Sequence, residues 1–450
     1  MRKYYLAMLA ALCVFLPLPA CVSAQLSLHD AETDIAVEKG LICWFEGNTE
    51  KAEKILSELT DSGTANPVPY HALAIMVIDR QHDYPRALRL YNRHRALAPN
   101  HTREYRAILP LLDKYAAQGC VQAQLMRARL TEWGLAGSID FSRGMLFLRR
   151  AADGGYAQAQ RELGILYETG IGVEKDIHKA MSFYSAAALQ NDAPAMKDLA
   201  VLLFRRAKND RARIDTALNL LRISAEADFA DAQMIFAKIC DNGVCVKQDK
   251  RKALYWCEKA AQNGCAEAMY ALGWLYEHGR GVKKSASESL KWYEDAARNS
   301  DANAQFRLGV MYYTGTVVKE DHVRAYSFFK RAAEQGNVSA WYNVAWMNKN
   351  GDGTRKDFEE ARKWFIRSAM AGNREAQYNL GVMYANGDGT EPDSEEAMFW
   401  FELSRLSGNK NAQENIDAIA KSLNAAAKDR AARRAKTAFK RMAPSSQQND

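Results

Sequence analysis

Residues 265–300 read CAEAMYALGWLYEHGRGVKKSASESLKWYEDAARNS, and this stretch decides the fold. Ala268, Leu272, Gly273, Leu275 and Tyr276 fall at helical spacing, and Gly279 and Gly281 then break the pattern. Leu290, Trp292, Tyr293, Ala296 and Ala297 carry a second helix. Gly273 lies inside the first helix, where a residue without a side chain lets two helices approach closely. A single helical hairpin cannot bury both of its apolar faces, so the neighbours of this one must cover it.

The same unit recurs on both sides. Copies begin at Cys120, Tyr156, Asp192, Phe229, Cys265, Asp301, Asn337 and Asn373, with a partial copy from Asn409. Each step is 36 residues except the 37 from Asp192 to Phe229. The small-x-x-x-Leu-Gly core returns as Ala159/Leu163/Gly164, Ala304/Leu308/Gly309 and Ala376/Leu380/Gly381. The turn returns as Gly170/Gly172, Gly351/Gly353 and Gly387/Gly389. Unit one has Arg127-Ala128 in place of Leu-Gly, and unit three has lost the glycine turn around Arg206–Asp210. The pattern A-x-x-x-L-G-x-x-Y-x-x-G-x-G-V…A-A-x-x-G resembles the Sel-one-like repeat, a relative of the tetratricopeptide repeat, over residues 120–408. That resemblance implies an all-α chain, a right-handed α-solenoid of helix-turn-helix repeats. It also implies a scaffold that binds a protein or peptide partner rather than an enzyme.

The flanks read differently. Residues 1–24 have the form of a secretory signal peptide, with Arg2 and Lys3 ahead of an apolar run from Leu6 to Leu16. Val22-Ser23-Ala24 suits ordinary cleavage, and Leu18-Pro19-Ala20-Cys21 resembles a lipobox that would place a lipid on Cys21. The expectation is a periplasmic or secreted protein, with a membrane-anchored lipoprotein as the alternative. Residues 25–119 read as degenerate tetratricopeptide-like hairpins, with Gly40, Ala52 and Leu56 around a turn at Glu46-Gly47-Asn48, then Ala87, Tyr91 and Pro99. Residues 409–424 supply a capping helix through Ile416, Ile419 and Leu423. Residues 425–450 are basic and alanine-rich, expected as a solvated helical tail, or else an arm for anionic lipid or an acidic partner.

The net charge of +7 over 450 residues does not by itself argue for nucleic acid. Cys240, Cys245, Cys257 and Cys265 crowd together, and in an oxidising compartment they are disulfide candidates with open connectivity. Zinc is the weaker reading, because paired C-x-x-C elements are missing and no histidine lies within the cluster. Gly279–Ser285 has a flavour of a phosphate loop but lacks the second glycine and a preceding strand. No G-x-S-x-G or H-E-x-x-H occurs, so no catalytic residue, metal or cofactor is assigned.

What the repeats can offer is a concave surface lined by their first helices. In the Leu-Gly register its inner positions carry Tyr270, Trp274, Phe306, Tyr313, Tyr342, Trp346 and Tyr378 in later repeats. Earlier repeats place Leu125, Arg129, Arg161, Lys197 and Lys238 there, with Glu132, Glu168 and Asp241. The face therefore turns from charged to aromatic along the chain. Rings in a groove anchor a partner segment or stack on a sugar, which leaves a cell-envelope carbohydrate as the alternative ligand. Rings at helical spacing also serve as core filling, and the two roles compete at these seven positions.

Overall fold

The computed structural model describes residues 33–81, 86, 90, 93, 94, 97, 102–132, 141–208 and 210–442. The signal-peptide segment, Ala87, Tyr91 and Pro99 lie outside the described residues. Among those described, every regular element is a helix. The chain divides into two compact units, Met1–Gly264 and Cys265–Asp450.

In the second unit the repeats are helix pairs: Ala266–His278 with Ala286–Arg298, Ala302–Thr314 with His322–Glu334, Val338–Asn350 with Phe358–Met370, and Arg374–Asn386 with Ser394–Leu406. Each first helix packs on its own partner, and each second helix packs also on the first helix of the next pair, which is the arrangement of an α-solenoid. The boundaries are written locally. Asp301, Asn337 and Asn373 cap first helices by accepting a backbone N–H three residues on. Ser285, Asp321, Asp357 and Asp393 do the same for second helices. First helices end at Gly279, Gly315, Gly351 and Gly387, all left-handed, where other residues would be strained.

The glycine of the Leu-Gly pair sets how closely the two helices of a repeat approach. A Cβ on Gly273 would sit 2.6 Å from the Tyr293 ring, and one on Gly309 or Gly381 would meet Phe329 or Phe401 at the same distance. Repeats without the glycine shrink the opposing residue: Ala128 is matched by Leu148, Ala200 by Leu221 and Ala237 by Cys257, all buried. Repeat 7 is the exception, with Ala345 beneath Phe365. A tyrosine at the ring position brings a hydroxyl that needs an acceptor, and the first helix provides one. Tyr293 donates to Glu277 Oε2 at 2.7 Å, and Tyr184 to Glu168 Oε2 at 2.8 Å. Where the ring is Phe329, Phe365 or Phe401, the glutamate position holds Tyr313, Lys349 or Ala385 instead.

In the first unit, helices Val121–Glu132 through Lys250–Gln262 form repeats 1–4. Upstream, Ala52 and Leu56 are buried, and Gly40 lets Leu56 pass at 3.0 Å from where its Cβ would be. The core around His71 is polar. His71 is fully buried, with the His94 ring 4.8 Å away. Burial, then His94, then the Arg129 guanidinium hold its imidazole well below the ordinary 6.5. Folding therefore keeps His71 neutral, whereas the unfolded chain takes up a proton near pH 6.5. Stability is expected to fall as the pH drops through 6.5, by up to about 1.4 kcal/mol per pH unit until the folded-state value is reached. Thermal melts between pH 7.5 and 5.5 measure this, and His71→Phe should flatten the slope in that window. An unchanged slope would remove His71 as its source.

The four clustered cysteines stand as thiols, none in a disulfide. They occupy different stations of the repeat: Cys257 takes the ring position, Cys240 the buried end of a first helix, Cys245 a left-handed turn residue (φ 62°) and Cys265 a helix N-cap. A small apolar residue suits the first two sites without any crosslink. The basic C-terminal segment is not a free tail as far as Met442. Helix Ala425–Met442 packs along Ser394–Leu406 through a seam of Ala427, Ala431 and Ala435. Arg430 clamps Glu395 with two hydrogen bonds of 2.9 and 2.6 Å, and Arg434 bonds Glu396 while lying 4.5 Å from the Phe399 ring. Ala412–Ile419 buries Ile416, and the two helices together close the array.

Candidate functional site: the aromatic face of repeats 5–8

The first helices of repeats 5–8 place all seven expected aromatic residues half-exposed. Tyr270, Phe306, Tyr342 and Tyr378 each lean on the buried ring of their own repeat, at 5.6 Å from Tyr293, 5.6 Å from Phe329, 5.9 Å from Phe365 and 5.6 Å from Phe401. Both competing roles thus hold at once: one face of each ring completes the core and the rest meets solvent. Trp274 stacks on His278 at 4.4 Å, with the Arg280 guanidinium 5.1 Å from its ring. Tyr313 and Trp346 meet edge to face at 6.3 Å, a contact between rings of successive repeats.

Polar groups missed in the sequence interleave with these rings. Asn415 donates to the Tyr378 hydroxyl at 3.0 Å, and Lys349 donates to Asn379 Oδ1 at 3.0 Å. Burial lowers the Lys349 ammonium from its usual value. His322 stacks on Tyr313 at 4.6 Å, its Nδ1 bonded to Asp352 and its Nε2 3.0 Å from Glu320. The Asp352 hydrogen bond raises the imidazole above its ordinary value against the opposing effect of burial, and the charges of Asp352 and then Glu320 add to the rise. The asparagines had a legible signal, since Asn343, Asn379 and Asn415 recur at 36-residue spacing. His322 had none.

In the first unit the charged inner positions are paired rather than open. Arg129 Nε donates to Glu162 at 2.7 Å, Arg161 Nε to Asp198 at 2.9 Å, and Arg205 to Glu168 at 2.9 Å, each across neighbouring repeats. Lys197 bonds Asp198 as well. Residues expected to face a ligand are thus used to join repeats. Arg307, which bonds Glu277, carries the same device into repeat 6. No three His, Cys, Asp or Glu side chains converge as a metal site among the described residues. No described helix is long and apolar enough to cross a membrane.

Helix pairs stacked through glycine-ring contacts, with a ring-bearing face left accessible, define an α-solenoid repeat scaffold. The profile of the Sel1 repeat matches residues 121–156, 157–192, 230–265, 266–301, 302–337, 338–373 and 374–409. This is more than half of the chain, which belongs to the Sel1 repeat family. The stretch between the second and third matches is the unit without the glycine turn, where Lys208 adopts φ 46°. A similar solved structure is c5321, a protective antigen present in uropathogenic Escherichia coli strains that displays an SLR fold. It is 24% identical, covers 95% of this chain and 97% of its own, and has a TM-score of 0.53, a likeness of fold. A Sel1 repeat protein from Oxalobacter formigenes is 29% identical over 69% of this chain and 90% of its own, with a TM-score of 0.46. No curated protein sequence matches.

Proposed function

We propose that this chain is an exported, non-catalytic scaffold that holds a protein or peptide partner on the face formed by the first helices of repeats 5–8. The carrying observation is the contrast between the first helices of the two units. Arg129 and Arg161 are spent on ion pairs between repeats and Lys197 on its neighbour Asp198, whereas Tyr270, Tyr342, Trp346 and Tyr378 keep half-exposed rings beside carboxamides. Rings held by core packing lose little entropy on binding, and adjacent amides can serve a peptide backbone. Export rests on the signal-like character of residues 1–24.

The test is Tyr342→Ala with Trp346→Ala, measured against a partner captured from envelope extract with the full chain. The expected loss is about 30-fold or more in affinity, as for anchor residues at the centre of an interface. Helical content should stay unchanged, because both side chains are only half-buried. Unchanged affinity with an intact fold would move the binding face elsewhere. Capture by purified cell-wall polymer in place of protein would shift the reading to carbohydrate stacking.

A further inference from the structure

The junction between repeats 6 and 7 is built differently from its neighbours. Three residues beyond the Leu-Gly glycine, repeats 6 and 8 carry Tyr312 and Tyr384, and Tyr312 stacks on Phe328 at 5.7 Å. Repeat 7 has Asn348 there, 2% exposed, its Oδ1 accepting from the Tyr326 hydroxyl at 3.2 Å. At the valine that follows the turn, Val318 in repeat 6, repeat 7 has Thr354, as repeat 8 has Thr390. Two apolar fillers have been exchanged for small polar groups, and a cavity of about 730 Å³ opens where they would pack.

Lys330, Arg355 and Lys356 line this cavity with Tyr326, Asn348 and Thr354. No ion pair engages any of the three cations among the described residues; Lys330 lies 6.0 Å from the Tyr326 ring and Lys356 4.5 Å from the Phe358 ring. Two carboxylates also line the cavity and keep their charge, which leaves one positive charge in excess. Asp357 caps its helix by accepting the Glu360 N–H at 2.9 Å, and Glu360 accepts the Trp364 indole N–H at 2.8 Å. Neighbouring junctions do not share the charge. At the positions of Lys330, Arg355 and Lys356, the junction of repeats 5 and 6 has Glu294, Lys319 and Glu320, and that of repeats 7 and 8 has Ile366, Glu391 and Pro392. The cations outnumber the carboxylates in this lining, and an anion held among Lys330, Arg355 and Lys356 relieves their mutual repulsion.

We propose that this cavity binds a doubly charged oxyanion, a phosphoryl or sulfo group. Arg355 supplies paired N–H donors that match its geometry, Lys330 and Lys356 act as point charges, and the Thr354 and Tyr326 hydroxyls complete the shell. The volume exceeds that of the bare anion and lies in the range of small-molecule sites, leaving room for an organic carrier against Tyr326 and Phe358. None of the seven rings of the proposed binding face lines it, so the site stands apart from that function.

Calorimetric titration of the full chain at low ionic strength tests this, with inorganic phosphate in one arm and phenyl phosphate in the other. Saturable binding is expected, weakening as chloride is added. Arg355→Ala with Lys356→Ala should lower affinity at least about tenfold, since each removes a charge-assisted contact. These two residues are exposed, so that variant should fold. Asn348→Tyr with Tyr326→Leu rebuilds the Leu290/Tyr312 pair of the preceding junction and should abolish binding with melting unchanged. Tighter binding of the ester identifies a carried phosphoryl group, and equal or tighter binding of free phosphate identifies the bare anion. Binding that does not saturate, that chloride matches at equal ionic strength, or that survives Arg355→Ala with Lys356→Ala overturns the proposal.

Discussion

Phe329→Ala is expected to destabilise the second unit by about 3–5 kcal/mol, the cost of deleting a buried aromatic ring in a core that can collapse only partly. The ring is 2% exposed, lies over Gly309, and is touched by Phe306 at 5.6 Å and Tyr313 at 6.5 Å. Its removal empties the space that Gly309 exists to create. Gly309→Ala approaches the same contact from the other side. A Cβ there would meet the ring at 2.6 Å, and overpacking of this kind costs about 1–3 kcal/mol, offset by about 1 kcal/mol of helix propensity. Repeat 7 tolerates Ala345 under Phe365, which places the net cost at the low end. Gly309→Ala with Phe329→Leu copies the Ala200/Leu221 pair and should recover part of the loss of the ring alone. Urea denaturation of the unaltered chain, Gly309→Ala, Phe329→Leu and their combination completes a double-mutant cycle, and strict additivity would show that the two residues do not set each other's size.

That contact also explains why the fold was legible. The glycine, the ring 20 residues later and the αL turn recur at fixed spacing, so each repeat announces the same packing solution. The aromatic face followed from the same register, because Tyr270, Phe306, Tyr342 and Tyr378 hold one position of it. What was not legible depends on how repeats meet. Arg161 reads as a charge on an inner face, and only the stacked neighbour shows that Asp198 receives it. Asn348 reads as a degenerate tyrosine, and only the surrounding repeat shows the opening it leaves.

The C-terminal helix misled for a related reason, and it supports the second large effect. Three alanines at four-residue spacing look like a weak apolar stripe, yet Ala431 and Ala435 are fully buried against the last repeat. Small residues let this helix lie close over Phe399 and its neighbours, with Arg430 and Arg434 locked to Glu395 and Glu396. Ala431→Glu would place a carboxylate in that seam, at a cost on the order of 3 kcal/mol or more. The helix should leave the surface rather than bury the charge. Met398, Phe399 and Trp400, now at most 7% exposed, would lose cover, and an uncapped solenoid end with such a patch tends to self-associate. Trypsin should then cut rapidly among Lys428, Arg430, Arg433 and Arg434, and light scattering should rise with concentration. Ala426→Glu, on the exposed side of the same helix, should change stability by less than about 0.5 kcal/mol. If the two glutamate variants behaved alike, the alanine seam would not be what holds the cap, and the arginine clamps alone would have to.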